Sequence, residues 1–142
     1  MHIPENLYLQ IISCVPITCV DILIQNQRQE YLLVKRNDEP LRGEFWVVGG
    51  RLSIDESQVA ACQRKCRDEV GLEIPEGDFC FVGVYDDSFE SNAFQAPTLY
   101  RTISMVYRAT VPDNVLVVLD KDHSEFSWSV DLPPRLKLIK TS

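Results

Sequence analysis

An α+β fold, one mixed β-sheet with helices packed on it, is the class this sequence predicts, and two observations predict it. Short runs rich in β-branched and aromatic residues recur along the chain, separated by polar and turn-forming residues. Amid them one segment, 57–70, carries its apolar residues at helical rather than alternating spacing. Strands on both sides of one strong amphipathic helix point to a sandwich built on a mixed sheet.

Taken in order, residues 5–13 can form a short helix after Pro4. Residues 15–25 (VPITCVDILIQ) read as a strand, 26–29 (NQRQ) as a hairpin turn, and 30–36 (EYLLVKR) as a second, antiparallel strand. A polar stretch, 37–43, leads into 44–50 (EFWVVGG), a short strand ending on a glycine pair. In the helix expected over 57–70, Val59, Cys62, Cys66 and Val70 share one apolar stripe. Gly71 is placed to close that helix. Residues 79–85, 99–111 and 115–119 read as further strands, and 125–130 as a last short one. No repeat, low-complexity tract or linker interrupts the chain, so residues 1–142 are expected to form a single domain.

Composition narrows the function classes. The 142 residues carry a net charge of −7, and such an acidic surface repels a polyphosphate backbone, so nucleic acid is not expected as a partner. No apolar run reaches transmembrane length and the N-terminus lacks a signal-peptide pattern, so the expectation is a cytoplasmic chain with no membrane partner. The five cysteines (Cys14, Cys19, Cys62, Cys66 and Cys80) form no CxxC pair. Most read as small buried hydrophobes in a reducing compartment. A small polyanion can still bind an acidic protein where local arginines and a metal ion supply positive field.

The chemistry-bearing pattern runs from Gly50 through Glu56 to Arg64-Lys65-Cys66-Arg67-Asp68-Glu69-Val70-Gly71-Leu72. It closely resembles the Nudix box, G-x5-E-x7-R-E-U-x-E-E-x-G-U with U a bulky aliphatic. Gly50, Glu56, Arg64, Glu69, Gly71 and Leu72 match, and Asp68 is a conservative stand-in. The resemblance implies the α/β/α sandwich of the Nudix type, with a mixed sheet and the family's loop and helix. It also implies Mg²⁺ as cofactor, with Mn²⁺ possible. On a helix, residues four apart stack on one face, so two glutamates at positions 65 and 69 would offer hard oxygen ligands to such an ion. Arg64 can pair with Glu56 and brace the loop against the helix. At position 65 this chain departs from the pattern, because an ammonium cannot ligate a cation. Lys65 can instead pair with Glu69 or take the space of a second cation. Because Glu69 is the carboxylate retained, replacing Lys65 is expected to matter far less than replacing Glu69.

Within the family, residues 15–56 and the segment 120–128 (DKDHSEFSW) resemble the GDP-mannose mannosyl hydrolases. That resemblance implies cleavage of the sugar C–O bond of a nucleotide sugar, with inversion, rather than of a P–O bond. By it, the Gly49 carbonyl, Glu69 and Asp122 would hold the metal, and His123, a loop histidine, would be the base. Arg36 and Arg51 would grip the diphosphate, and Asp21 would orient the sugar or the surroundings of the leaving group. Tyr100 would touch the diphosphate, and a homodimer would be the assembly. Imidazole suits proton transfer from water at neutral pH, and arginine forks suit phosphate oxygens. His123 between Asp122 and Ser124 also reads as an ordinary solvated histidine, and Arg36 as a solvated strand end. Asp21, an acid in mid-strand, is expected to be buried with a partner. Two other readings stay open: a pyrophosphohydrolase releasing a nucleoside monophosphate, and a nucleotide-sugar binding module without turnover.

Overall fold

The computed structural model describes residues 2–92, 94 and 98–136. Helix α1 (Glu5–Cys14) leads into β1 (Ile17–Gln25), followed by β2 (Tyr31–Arg36), β3 (Phe45–Trp46) and β4 (Val48–Arg51). Helix α2 (Gln58–Val70) and a 3₁₀ turn (Glu76–Asp78) come next. Then follow β5 (Cys80–Phe89), β6 (Tyr100–Thr110) and β7 (His123–Ser129). Neither helix is long and apolar enough to cross a membrane.

The seven strands form one mixed sheet, ordered β3-β2-β1-β6-β5 along its main path. β1 lies parallel to β6 from Ile17↔Thr102 to Gln25↔Thr110. Its other edge is divided: β4 pairs antiparallel with Cys19–Ile22, while β2 meets it at Gln25↔Tyr31. β7 runs antiparallel to β2 on that strand's far side.

Alternation along β1 decides which helix covers which face. Val20, Ile22 and Ile24 join the cluster that contains Cys62, Cys66 and Val70 of α2. On the opposite face Ile17 and Cys19 pack under Ile12 of α1, and Leu23 packs with Trp46, Tyr85 and Val106. Each helix therefore covers one face, and Asp21 falls between the two clusters of the α1 face. The α2 stripe is buried as its spacing predicts, with Cys62, Cys66 and Val70 fully enclosed. Ser57 caps the helix start by accepting from the Ala60 amide at 3.1 Å. Gly71 ends it at φ +70°, its amide bonding Arg67 O while Leu72 N reaches Cys66 O.

Four expectations are corrected. Residues 44–50 are two strands rather than one: β3 pairs with β2, and beyond Val47 β4 pairs with β1. Residues 115–119 form no strand. Their side chains Val115, Val117 and Leu119 do pack on the core, but the Val118 amide bonds Val70 O and the next donor, Asp120 N, bonds Glu69 O. The segment therefore satisfies the last carbonyls of α2 instead of a neighbouring strand. The strand expected over 79–85 continues to Phe89, because β6 extends far enough to pair with it. His123 belongs to no loop; it opens β7 opposite Arg36. Of the C-terminal tail, residues 137–142 lie outside the described residues.

Candidate active site

β4 is a thin partition that carries two glycines, with a charged side chain against each side. A Cβ on Gly49 would collide with the Asp21 carboxylate and the Val20 carbonyl. A Cβ on Gly50 would lie 2.6 Å from Cε and 2.9 Å from Nζ of Lys65. Close approach, not left-handed backbone, is what Gly49 requires, while at Gly50 the neighbour is the flexible end of the Lys65 side chain.

On the Asp21 side lies a cleft. Cys19 and Asp21 of β1 and Thr102 and Ser104 of β6 contribute to it, as do Gly49, Gly50 and Arg51 of β4. Arg36, Trp46, Tyr85 and Tyr100 complete its polar and aromatic lining. Asp21 is buried, and its carboxyl is pushed up to about 6 by loss of solvent, against hydrogen bonds from Ser104 and Trp46 that pull it down. Arg36 is aimed by its own loop, Nε donating to Pro40 O at 2.7 Å. Arg51 sits under Tyr8 of α1, its guanidinium carbon 5.4 Å from the ring centroid. The Tyr8 hydroxyl reaches that of Tyr100 at 3.5 Å, so the first helix closes against two residues expected to bind substrate. Burial also pushes the Cys19 thiol up to about 12, which makes it an inert lining group.

On the α2 side stands a second cluster. Glu69 is buried, and its Oε2 pairs with Lys65 Nζ at 3.0 Å, one helical turn back. Burial raises the Glu69 carboxyl, opposed by Lys65 and His123. His123, its side chain only 7% exposed, lies with Nε2 3.8 Å from Glu69 Oε1 and Nδ1 2.7 Å from Asp120 Oδ1. When Asp120 accepts from Nδ1–H, Nε2 keeps its lone pair for a proton. Below this cluster, Arg64 forks onto Glu56 at 2.7 and 2.9 Å and also donates to Arg51 O at 3.0 Å. That fork holds the Glu56 carboxyl down at about 2.

The fold thus brings Asp21, Arg36, Arg51, Tyr100 and Gly49 to one cleft, and Lys65, Glu69 and His123 to the helix side of the same strand. Two residues stand apart. Asp68 is exposed and faces Arg67 at 4.0 Å. The Asp122 side chain is also exposed; its backbone is what is engaged, N to Asp120 Oδ1 and O from Asn37 N. The residues present fit a divalent ion poorly. Among those described, no three His, Cys, Asp or Glu side chains gather as a metal site. The one buried box carboxylate already holds an ammonium. Sequence reasoning missed Asp120, whose signal is an acid three residues before the histidine. It also missed Thr102 and Ser104, small polar residues at alternate positions of a strand whose next inward residue, Val106, is apolar.

Comparison with known proteins identifies the family and the fold. The NUDIX domain family model matches residues 16–134. The low-salt glycan biosynthesis protein Agl8 of Haloferax volcanii is 25% identical over 124 residues, 87% of this chain and 77% of that protein. An octanoyltransferase of Myxococcus xanthus is 35% identical over 107 residues, 75% of this chain but only 28% of that protein. A bifunctional NMN adenylyltransferase/ADP ribose pyrophosphatase of Francisella tularensis, solved with AMP and a Mn ion, superposes with a TM-score of 0.63. Its identity is 19%, over 87% of this chain and 36% of that one, which shows the shared fold. Nudix hydrolases generally use divalent metal ions, and the ammonium at position 65 is a departure from the box pattern.

Proposed function

This chain belongs to the Nudix hydrolase family, and from that premise we propose that it hydrolyses a nucleotide sugar of the GDP-mannose or GDP-glucose type. The products are a nucleoside diphosphate and the free sugar, and residues 1–142 act as one Nudix domain. The observation that carries the reading is the His123–Asp120 pair at 2.7 Å, set opposite Arg36 across β2 and β7. A water oxygen attacks the anomeric carbon, its proton passes to His123 Nε2, and the C–O bond breaks with its electron pair leaving on the diphosphate. Attack from the face opposite the leaving group inverts that carbon. Asp120 orients the imidazole, as a carboxylate behind a base does in hydrolytic triads. Arg36 and Arg51 neutralise the departing diphosphate, and Asp21 faces the sugar. No step is routed through a metal ion, because the donor set fits one poorly. The likeness to a protein of glycan biosynthesis agrees with a sugar-bearing substrate.

The test is product identity. Incubation with a panel of nucleotide sugars, followed by NMR, is expected to show free sugar with inverted anomeric configuration and nucleoside diphosphate. Sugar phosphate with nucleoside monophosphate would hand the site to pyrophosphohydrolase chemistry. Thermal stabilisation by the panel without turnover would leave a binding module.

A further inference from the structure

We propose that the Lys65 ammonium is a built-in cation for the diphosphate, so that this site binds a nucleoside diphosphate without a divalent ion. The proposal rests on reading the cleft as a nucleotide-diphosphate site. It reverses the sequence expectation that Lys65 matters little, and geometry is the reason. Lys65 and Glu69 stack one turn apart on α2, 3.0 Å between charged atoms, with Glu69 buried and the Lys65 side chain 22% exposed. A carboxylate at that depth needs a counter-ion, and the ammonium is already there. A divalent ion taking the same oxygen would have to expel Lys65 or stand against its positive charge at contact distance.

The ammonium also lies against a wall of the cleft. Lys65 Cε and Nζ lie where a Cβ on Gly50 would point, 2.6 and 2.9 Å from it, and Gly50 itself lines the cleft. Arg36 of β2 and Arg51 of β4 line the cleft, and Lys65 of α2 stands behind Gly50, a residue of the same lining. Of the three ammonium donors, Glu69 takes one, leaving two for phosphate oxygens among the described residues. Lysine serves phosphate as a compact point charge, which is the role a small hard cation otherwise fills.

Two measurements decide the matter, with inorganic pyrophosphate and Mn²⁺ as probes. Calorimetry in excess EDTA is expected to show pyrophosphate binding to the unmodified chain. Lys65→Met should weaken that binding by about 10-fold or more, the loss of one charge-assisted contact, while Lys65→Arg retains most of it. Electron paramagnetic resonance is expected to leave the free Mn²⁺ signal undiminished by the unmodified chain, a measurement that needs no variant to fold. Stoichiometric Mn²⁺ uptake by the unmodified chain, or pyrophosphate binding that requires Mn²⁺, overturns the proposal, as does unchanged binding in a folded Lys65→Met. If pyrophosphate binds in EDTA through Lys65 while no nucleotide sugar is turned over, the cation assignment stands and the substrate reading falls.

Discussion

Two ion pairs begin one residue apart on α2, and they differ in what surrounds them. Arg64 reaches forward to Glu56 with two hydrogen bonds, its own side chain 31% exposed. Lys65 turns to Glu69, which is almost wholly enclosed. The carboxylates respond in opposite directions. At Glu56 hydrogen bonds from a fork outweigh desolvation and the carboxyl is held down at about 2; at Glu69 burial wins and the carboxyl rises. The first pair is the geometry of a brace, satisfied within the protein and closing the loop between β4 and α2. The second holds charge in a place where charge alone is unfavourable, and such an arrangement suits a site that a charged ligand completes.

The sharpest way to separate the two pairs is to replace His123, the base proposed beside Glu69. His123→Gln is expected to lower kcat by about 10²–10⁴-fold while nucleoside diphosphate binding, followed by calorimetry, stays nearly intact. A raised KM with unchanged kcat would place His123 among binding groups and remove the functional contrast between the pairs. Next in size is stability. Lys65→Met leaves a buried carboxylate without its cation and should lower unfolding free energy by about 3 kcal/mol in urea titrations. Equal, small losses from Lys65→Met and Arg64→Met would show that burial does not distinguish them.

Glu56→Gln tests the brace. Removing this charge-assisted fork should cost about 2 kcal/mol at pH 7. Because the folded-state carboxyl lies near 2 and the ordinary value is 4.5, the stabilisation is fully present above about pH 4.5. It fades as pH falls toward 2, so the gap between wild type and variant should close over that window. Asp21 gives the opposite sign. It is buried without an ion pair among the described residues, and its folded value near 6 exceeds the ordinary 3.8. Ionising it therefore lowers stability progressively between about pH 4 and pH 6 and no further above that range. Asp21→Asn should raise the Tm above pH 6, with a gain on the order of 1 kcal/mol once its lost hydrogen bonds are counted, and lower turnover. A variant less stable at pH 7 than at pH 4, relative to wild type, would contradict the sign.

The brace was legible in the sequence and the site cluster only partly so. Glu56 and Arg64 belong to one local loop-helix pattern, so spacing alone brings them together. Lys65 and Glu69 lie four apart on a helix, and their pairing follows from that period. What spacing does not carry is the arrival of β7 and the segment before it, which deliver His123 and Asp120 from far along the chain. The reading of 115–119 as a strand failed for the same reason: its alternation is real, but its amides serve the end of α2. The split of 44–50 at Val47 is equally tertiary, since nothing local tells a strand to exchange β2 for β1. Thr102 and Ser104 acquire meaning only when the parallel pairing of β1 and β6 sets them near Asp21.

Hydrolysis in ¹⁸O-labelled water tests the central claim most directly. With GDP-mannose or GDP-glucose as substrate and excess EDTA in one arm, mass spectrometry of the products reports which atom water attacked. Attack at carbon puts the label in the sugar hydroxyl and leaves the nucleoside diphosphate unlabelled, the result expected from His123 held by Asp120 beside a lysine-filled box. Label in a phosphate of nucleoside monophosphate or sugar phosphate would mean attack at phosphorus, and would contradict the account.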